Sequence, residues 1–158
     1  MNITVISVGK IKEKYFTAAI DEYSKRLLRF AKLNIIEVAD EKIPDNASEK
    51  EMEQIKEKEG NKILAKLPQN SFVVTLCIEG KEHSSEELAK KIADISMTSS
   101  HITFIIGGSL GLSDTVKSKS ALRLSFGKMT LPHQLMRVVL LEQIYRAFKI
   151  NNNESYHK

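Results

Sequence analysis

Ile102-Thr103-Phe104-Ile105-Ile106-Gly107-Gly108-Ser109-Leu110-Gly111 decides how the chain reads. The apolar, β-branched run is short and ends abruptly in glycines, the pattern of a buried strand followed by a tight loop. Similar runs recur at residues 3–8, 35–38, 72–77 and 122–126. Between them lie stretches with helical character. Phe16, Ile20, Tyr23 and Leu27 form one apolar stripe within residues 14–30. Ser48-Glu49-Lys50-Glu51 and Ser84-Ser85-Glu86-Glu87 read as capping boxes, opening helices to about Lys66 and Met97. Pro132 suits the first position of a last helix reaching about Ile150. Strands alternating with helices predict an α/β fold, a mostly parallel sheet flanked by helices. No repeat or Pro/Gly-rich linker divides residues 1–158, so one domain is expected.

Composition narrows the function. The chain has 158 residues, 42% hydrophobic and 28% charged, which fits a globular domain with a real core. No apolar run approaches the roughly 20 residues of a membrane span. The first residues, apolar before basic, do not read as a signal peptide. A single cysteine, Cys77, excludes an intrachain disulfide and fits a reducing, cytoplasmic setting. One cysteine and four histidines without zinc-ligand spacing predict no metal site. The net charge of +4 is unevenly spread: residues 115–158 carry 8 basic and 2 acidic groups, while residues 40–114 carry 9 basic and 14 acidic. The acidic middle reads as solvated helix face, and the basic end as a surface that could attract a polyanion.

Three features could carry chemistry. Glycines at the carboxyl end of a parallel strand let a ligand approach the backbone. The loop at Gly107 lacks the spacing of a dinucleotide fingerprint or a P-loop. It does match G-x-S-x-G, so a serine hydrolase with Ser109 as nucleophile and Asp114 and His133 as partners is one reading. Against it, an elbow helix should start directly after the serine, whereas Ser113-Asp114 looks like the helix start. The second feature is Phe126-Gly127-Lys128-Met129-Thr130-Leu131-Pro132-His133-Gln134-Leu135-Met136-Arg137. It places His133 and Arg137 four apart on one helix face. Arg137, among apolar neighbours, needs an anionic or hydrogen-bonding partner. Glu142 and Arg146 read as a plain i,i+4 salt bridge. The third feature is the tail, Tyr156-His157-Lys158, able to stack on and bond a base, although a chain end is by default frayed. The last helix is apolar nearly all round, and a homodimer is one way to cover it.

The runs Phe104-Ile105-Ile106-Gly107-Gly108-Ser109-Leu110-Gly111, Lys128-Met129-Thr130-Leu131-Pro132-His133-Gln134 and Glu142-Gln143-Ile144-Tyr145-Arg146-Ala147 resemble the ribosomal RNA large subunit methyltransferase H family of SPOUT methyltransferases. So do Ile6-Ser7-Val8-Gly9-Lys10 and the closing Tyr156-His157, and the similarity covers essentially the whole chain. The resemblance implies a SPOUT-type α/β fold with a C-terminal trefoil knot, working as a homodimer. It also implies transfer of a methyl group from S-adenosyl-L-methionine to N3 of a pseudouridine in 23S rRNA within the assembled ribosome. Leu76, Gly108, Gly127, Lys128, Met129, Thr130, Leu131 and Pro132 would line the cofactor site. Gly127 stands where relatives often have serine, and Ser155 where many have proline before the Tyr-His pair.

Removing the pseudouridine N3 proton leaves negative charge on the flanking carbonyls. Arg137 is expected to hold that charge, His133 or His157 to take or relay the proton, and Tyr156 to pack against the base. A non-catalytic rRNA-binding module is the remaining reading.

Overall fold

The computed structural model describes residues 1–158. Ten elements alternate along the chain: β1 (Asn2–Val8), α1 (Lys14–Leu27), β2 (Lys32–Val38), α2 (Glu49–Lys66), β3 (Phe72–Glu82), α3 (Ser85–Ser96), β4 (His101–Ile106), α4 (Asp114–Ser118), β5 (Leu122–Ser125) and α5 (His133–Asn151). The five strands form one sheet in the order β2-β1-β4-β3-β5, and every pair is parallel. Parallel strands need covered faces, and the side-chain alternation supplies two. Ile3 and Val5 of β1 and Ile102, Phe104 and Ile106 of β4 point to the larger core, which α1, α3 and α5 close. Ile6, Val8 and Ile105 point to a smaller core under α2 and α4.

Local signals hold at the helix starts. Ser48 Oγ accepts the Glu51 N–H while Glu51 returns a bond to the Ser48 N–H, and Ser84 and Glu87 repeat the arrangement. Three boundaries differ from expectation. α1 stops at Leu27, and Phe30 lies in the turn leading to β2. Pro132 is the residue before α5, extended at ψ 136°, so the first helical residue is His133. β3 continues well past Cys77, with a register shift against β5 between Leu76 and Lys81. A shift of that kind bends the strand and re-aims its side chains.

The last helix is covered from within. α5 lies against α1 and α3, and no residue from His133 to Ile150 is fully exposed. Its apolar circumference is therefore largely explained by the chain's own packing, leaving Leu135, Val138 and Val139 half-buried.

Candidate active site

Because all strands run the same way, residues 76–78 of β3 and the loops leaving β4 and β5 come together along one edge, where open α/β sheets bind ligands. They wall a solvent-open cleft of about 160 Å³. Leu76, Gly108, Gly127, Met129, Thr130 and Leu131 lie in its wall, whereas Lys128 and Pro132 are exposed outside it. Cys77, Ile78 and Phe126 add to the apolar side; Phe126 opens the second feature read in the sequence, whereas nothing there marked Cys77 and Ile78 as site residues. Cys77 and Ile78 belong to the stretch where β3 shifts register, a feature that long-range pairing creates.

The loop conformations explain two glycines. A Cβ on Gly107 would stand 2.8 Å from the Gly111 carbonyl carbon, so the loop can fold back on itself only without a side chain there. Gly127 sits at φ +110°, which side chains rarely tolerate. Its N–H donates to Ser125 Oγ at 3.1 Å, and that hydroxyl donates to the Ile78 carbonyl at 2.8 Å. The loop after β5 is thus fastened to the extension of β3.

His133 opens α5 and faces two spaces. One is the glycine-walled cleft, and the other is a smaller cleft lined by Gly9, Asp40, Glu41, Glu59 and Ser109. Burial, and then the positive charge of Arg137, hold its imidazole below the usual histidine range, with Asp40 opposing. It is suited to be neutral and to accept a proton near pH 7.

Arg137 departs from expectation. It is 3% exposed, and its guanidinium donates to Glu37 Oε2 at 2.7 Å and to the carbonyls of Val8 and Gly9 at 2.8 Å each. Its Nε is buried without a partner. Both Nη groups are committed to the protein, so the structure does not offer them to a substrate. The anionic partner that Arg137 required is Glu37, one hundred residues earlier in the chain.

The tail is docked. Tyr156 OH donates to Glu142 Oε1 at 3.1 Å, its ring meets Tyr145 edge-on, and the Arg146 guanidinium lies 4.7 Å from the ring centre. His157 bonds Glu86 at 2.6 Å and Arg146 at 3.0 Å. Arg146 also pairs with Glu142 at 2.6 Å, as the spacing predicted. The α5 anchors, Glu142, Tyr145 and Arg146, lie nine to thirteen residues beyond His133, or roughly 14–20 Å at the helical rise, while Glu86 belongs to α3. Within one chain, Tyr156 and His157 do not meet His133.

Ser109 is exposed and makes no side-chain hydrogen bond with His133; helix α4 starts only at Asp114, which is itself exposed. The elements of a nucleophile elbow are not assembled.

The sequence and the fold have clear counterparts. Residues 1–157 match a family model described as "Predicted SPOUT methyltransferase". Ribosomal RNA large subunit methyltransferase H of Clostridioides difficile (strain 630) is 60% identical over the full length of both chains, and that of Clostridium novyi (strain NT) is 62% identical over the same extent. Among solved structures, a probable methylase family protein from Haemophilus influenzae Rd KW20 superposes with a TM-score of 0.56 at 14% identity, covering 99% of this chain and 70% of its own. A Legionella pneumophila protein, described as a "putative methyltransferase" in complex with the bound cofactor SAM, gives 0.50 at 13% identity, covering 94% and 66%. The class is therefore that of the SPOUT methyltransferases, and within it the chain belongs to the ribosomal RNA large subunit methyltransferase H family.

Proposed function

We propose that this protein methylates N3 of a pseudouridine in 23S rRNA, using S-adenosyl-L-methionine, and acts as a homodimer on the assembled ribosome in the cytoplasm. The observation that carries the reading is the convergence of two glycine-bearing loops and His133 on one cleft. The cleft suits the cofactor: apolar side chains from β3 face backbone that the glycines leave uncovered, a pairing that fits an adenine ring beside peptide groups. When bound, the cofactor supplies an electrophilic methyl group on a sulfonium.

The chain's own residues then have defined tasks. Leu76, Gly108, Gly127, Met129, Thr130 and Leu131 hold the donor, with Lys128 and Pro132 shaping the loop from outside. Positioning dominates in an in-line displacement, so a fixed loop matters more than strong acid–base groups. His133, neutral and in the cleft wall, accepts the N3 proton as the new bond forms. Tyr156 and His157 dock too far along α5 from His133 to serve their own protomer, so they contact the base at the partner's site. The backbone of the C-terminal third, whose loops after β4 and β5 share the cleft, is knotted as a trefoil in this reading. The basic residues 115–158 face the rRNA.

Single-turnover methylation of ribosomes tests these roles. His133→Gln is expected to lose about a hundredfold in rate. Mixing His133→Gln with a His157→Gln protein is expected to restore activity, because a mixed dimer contains one intact composite site. A wild-type rate for His133→Gln contradicts the assignment of the base. Ser109→Ala is expected to keep the full rate.

A further inference from the structure

Arg137 carries its charge in the interior, and each of its contacts runs to the body of the fold. Nη2 reaches the carbonyls of Val8, the last residue of β1, and of Gly9; Nη1 reaches Glu37 near the end of β2. The same Glu37 oxygen accepts the Ile11 N–H at 3.0 Å, so one carboxylate joins β2, the β1–α1 loop and α5. Gln134, beside His133, adds a longer contact by accepting the Lys12 N–H at 3.4 Å. His133 stands one helical turn before Arg137 on the same face.

We propose that Glu37 and Arg137 form a positioning clamp for His133: Glu37 fixes the guanidinium, and the guanidinium pins the first turn of α5 to the carboxyl end of β1. The imidazole is thereby held in the wall between the glycine-walled cleft and the acidic one. Neither clamp residue touches the reacting atoms. An arginine is required because its planar fork serves three acceptors at once, which an ammonium group on a flexible stem does less well. Its fixed charge has a second effect. His133 faces Arg137 from its own helix, Asp40 and Glu41 from the β2–α2 connection, and Glu59 from α2. Asp40 favours an imidazolium, and burial together with Arg137 keeps the ring in its neutral form. The inference rests on the reading of His133 as proton acceptor.

The test follows two quantities in the full-length protein at a series of pH values. One is the His133 imidazole titration by NMR, and the other is the single-turnover rate of ribosome methylation. Arg137→Gln is expected to move the titration midpoint and the acid limb of the rate upward together, with a plateau rate lower by tenfold or more, on the order expected for misplaced reacting groups. Arg137→Lys keeps the charge but loses the fork, so its plateau falls while the midpoint stays close to wild type. Glu37→Gln removes the counter-charge, so the midpoint moves downward. A folded Arg137→Gln protein with an unmoved midpoint overturns the clamp, since a merely structural role would not shift the titration in any particular direction.

If Arg137→Gln does not fold, Glu37→Gln decides alone, because its carboxylate is 37% exposed and its loss is better tolerated. An unmoved midpoint there overturns the clamp as well. Full activity of His133→Gln would defeat the proton-acceptor reading, while the NMR midpoints would still report on the clamp, so the two failures are distinguishable.

Discussion

Glu59 sits on α2 with 5% exposure, and its carboxylate has a single hydrogen-bond partner, the Glu41 N–H at 3.0 Å on Oε2. Burial, with Asp40 and Glu41 adding like charge, pushes its carboxyl above the usual range despite that bond and Lys62. A raised folded value means that the folded state binds more protons than the unfolded one as pH rises through this window, so stability falls there. Glu59→Gln keeps an acceptor for the Glu41 N–H and imitates the protonated form. It is expected to be more stable than wild type at pH 7, with the difference closing below the ordinary glutamate range, as read from urea midpoints at several pH values. His133 has the opposite sign. Its lowered value makes the unfolded state bind more protons, so stability is lost as pH falls from about 6.5. At this scale the sequence showed that Arg137 needed a partner, because a cation among Met136, Val138 and Val139 cannot stand alone. It could not name Glu37, since strand order brings that residue to α5, not local spacing.

Secondary elements were legible wherever their signals are local. Both capping boxes form as read, and the glycine run ends β4 at Ile106. The extension of β3 to Glu82 was not legible, because Gly80 and the polar residues after Ile78 do not look like strand. That stretch is held by β5: a Cβ on Gly80 would lie 2.6 Å from the Arg123 carbonyl oxygen, so the two backbones are packed closely. The same reasoning gives a sharp expectation for the loop after β4. Gly107→Ala drives a methyl group against the Gly111 backbone, so the loop must open while the strands, with their own cores, persist. Calorimetry is expected to show S-adenosyl-L-methionine affinity weakened by tenfold or more, with a far-UV circular dichroism spectrum unchanged. Equal affinity would mean that the loop conformation is not what holds the donor. The last helix taught a different lesson: apolarity all round α5 reads as a surface awaiting a partner, yet α1, α3 and the sheet cover most of it.

For the molecule as a whole, the small net charge conceals its organisation. The basic C-terminal segment contains the loop after β5, the α5 helix and the tail, whereas Asp40, Glu41 and Glu59 line the smaller cleft that His133 shares. Under the proposed reaction that separation serves both needs: cations dock the polyanion, and a neutral imidazole is left to take the N3 proton. The tail follows the same division, folded on α5 with its helix anchors roughly 14–20 Å from the His133 of its own chain. The claim on which all of this depends is the reaction itself. Mass spectrometry of large-subunit rRNA from cells lacking this protein measures it directly. The account predicts that N3-methylpseudouridine disappears and returns when the wild-type chain is restored, but not with His133→Gln. Unchanged methylpseudouridine in the deleted cells would contradict it.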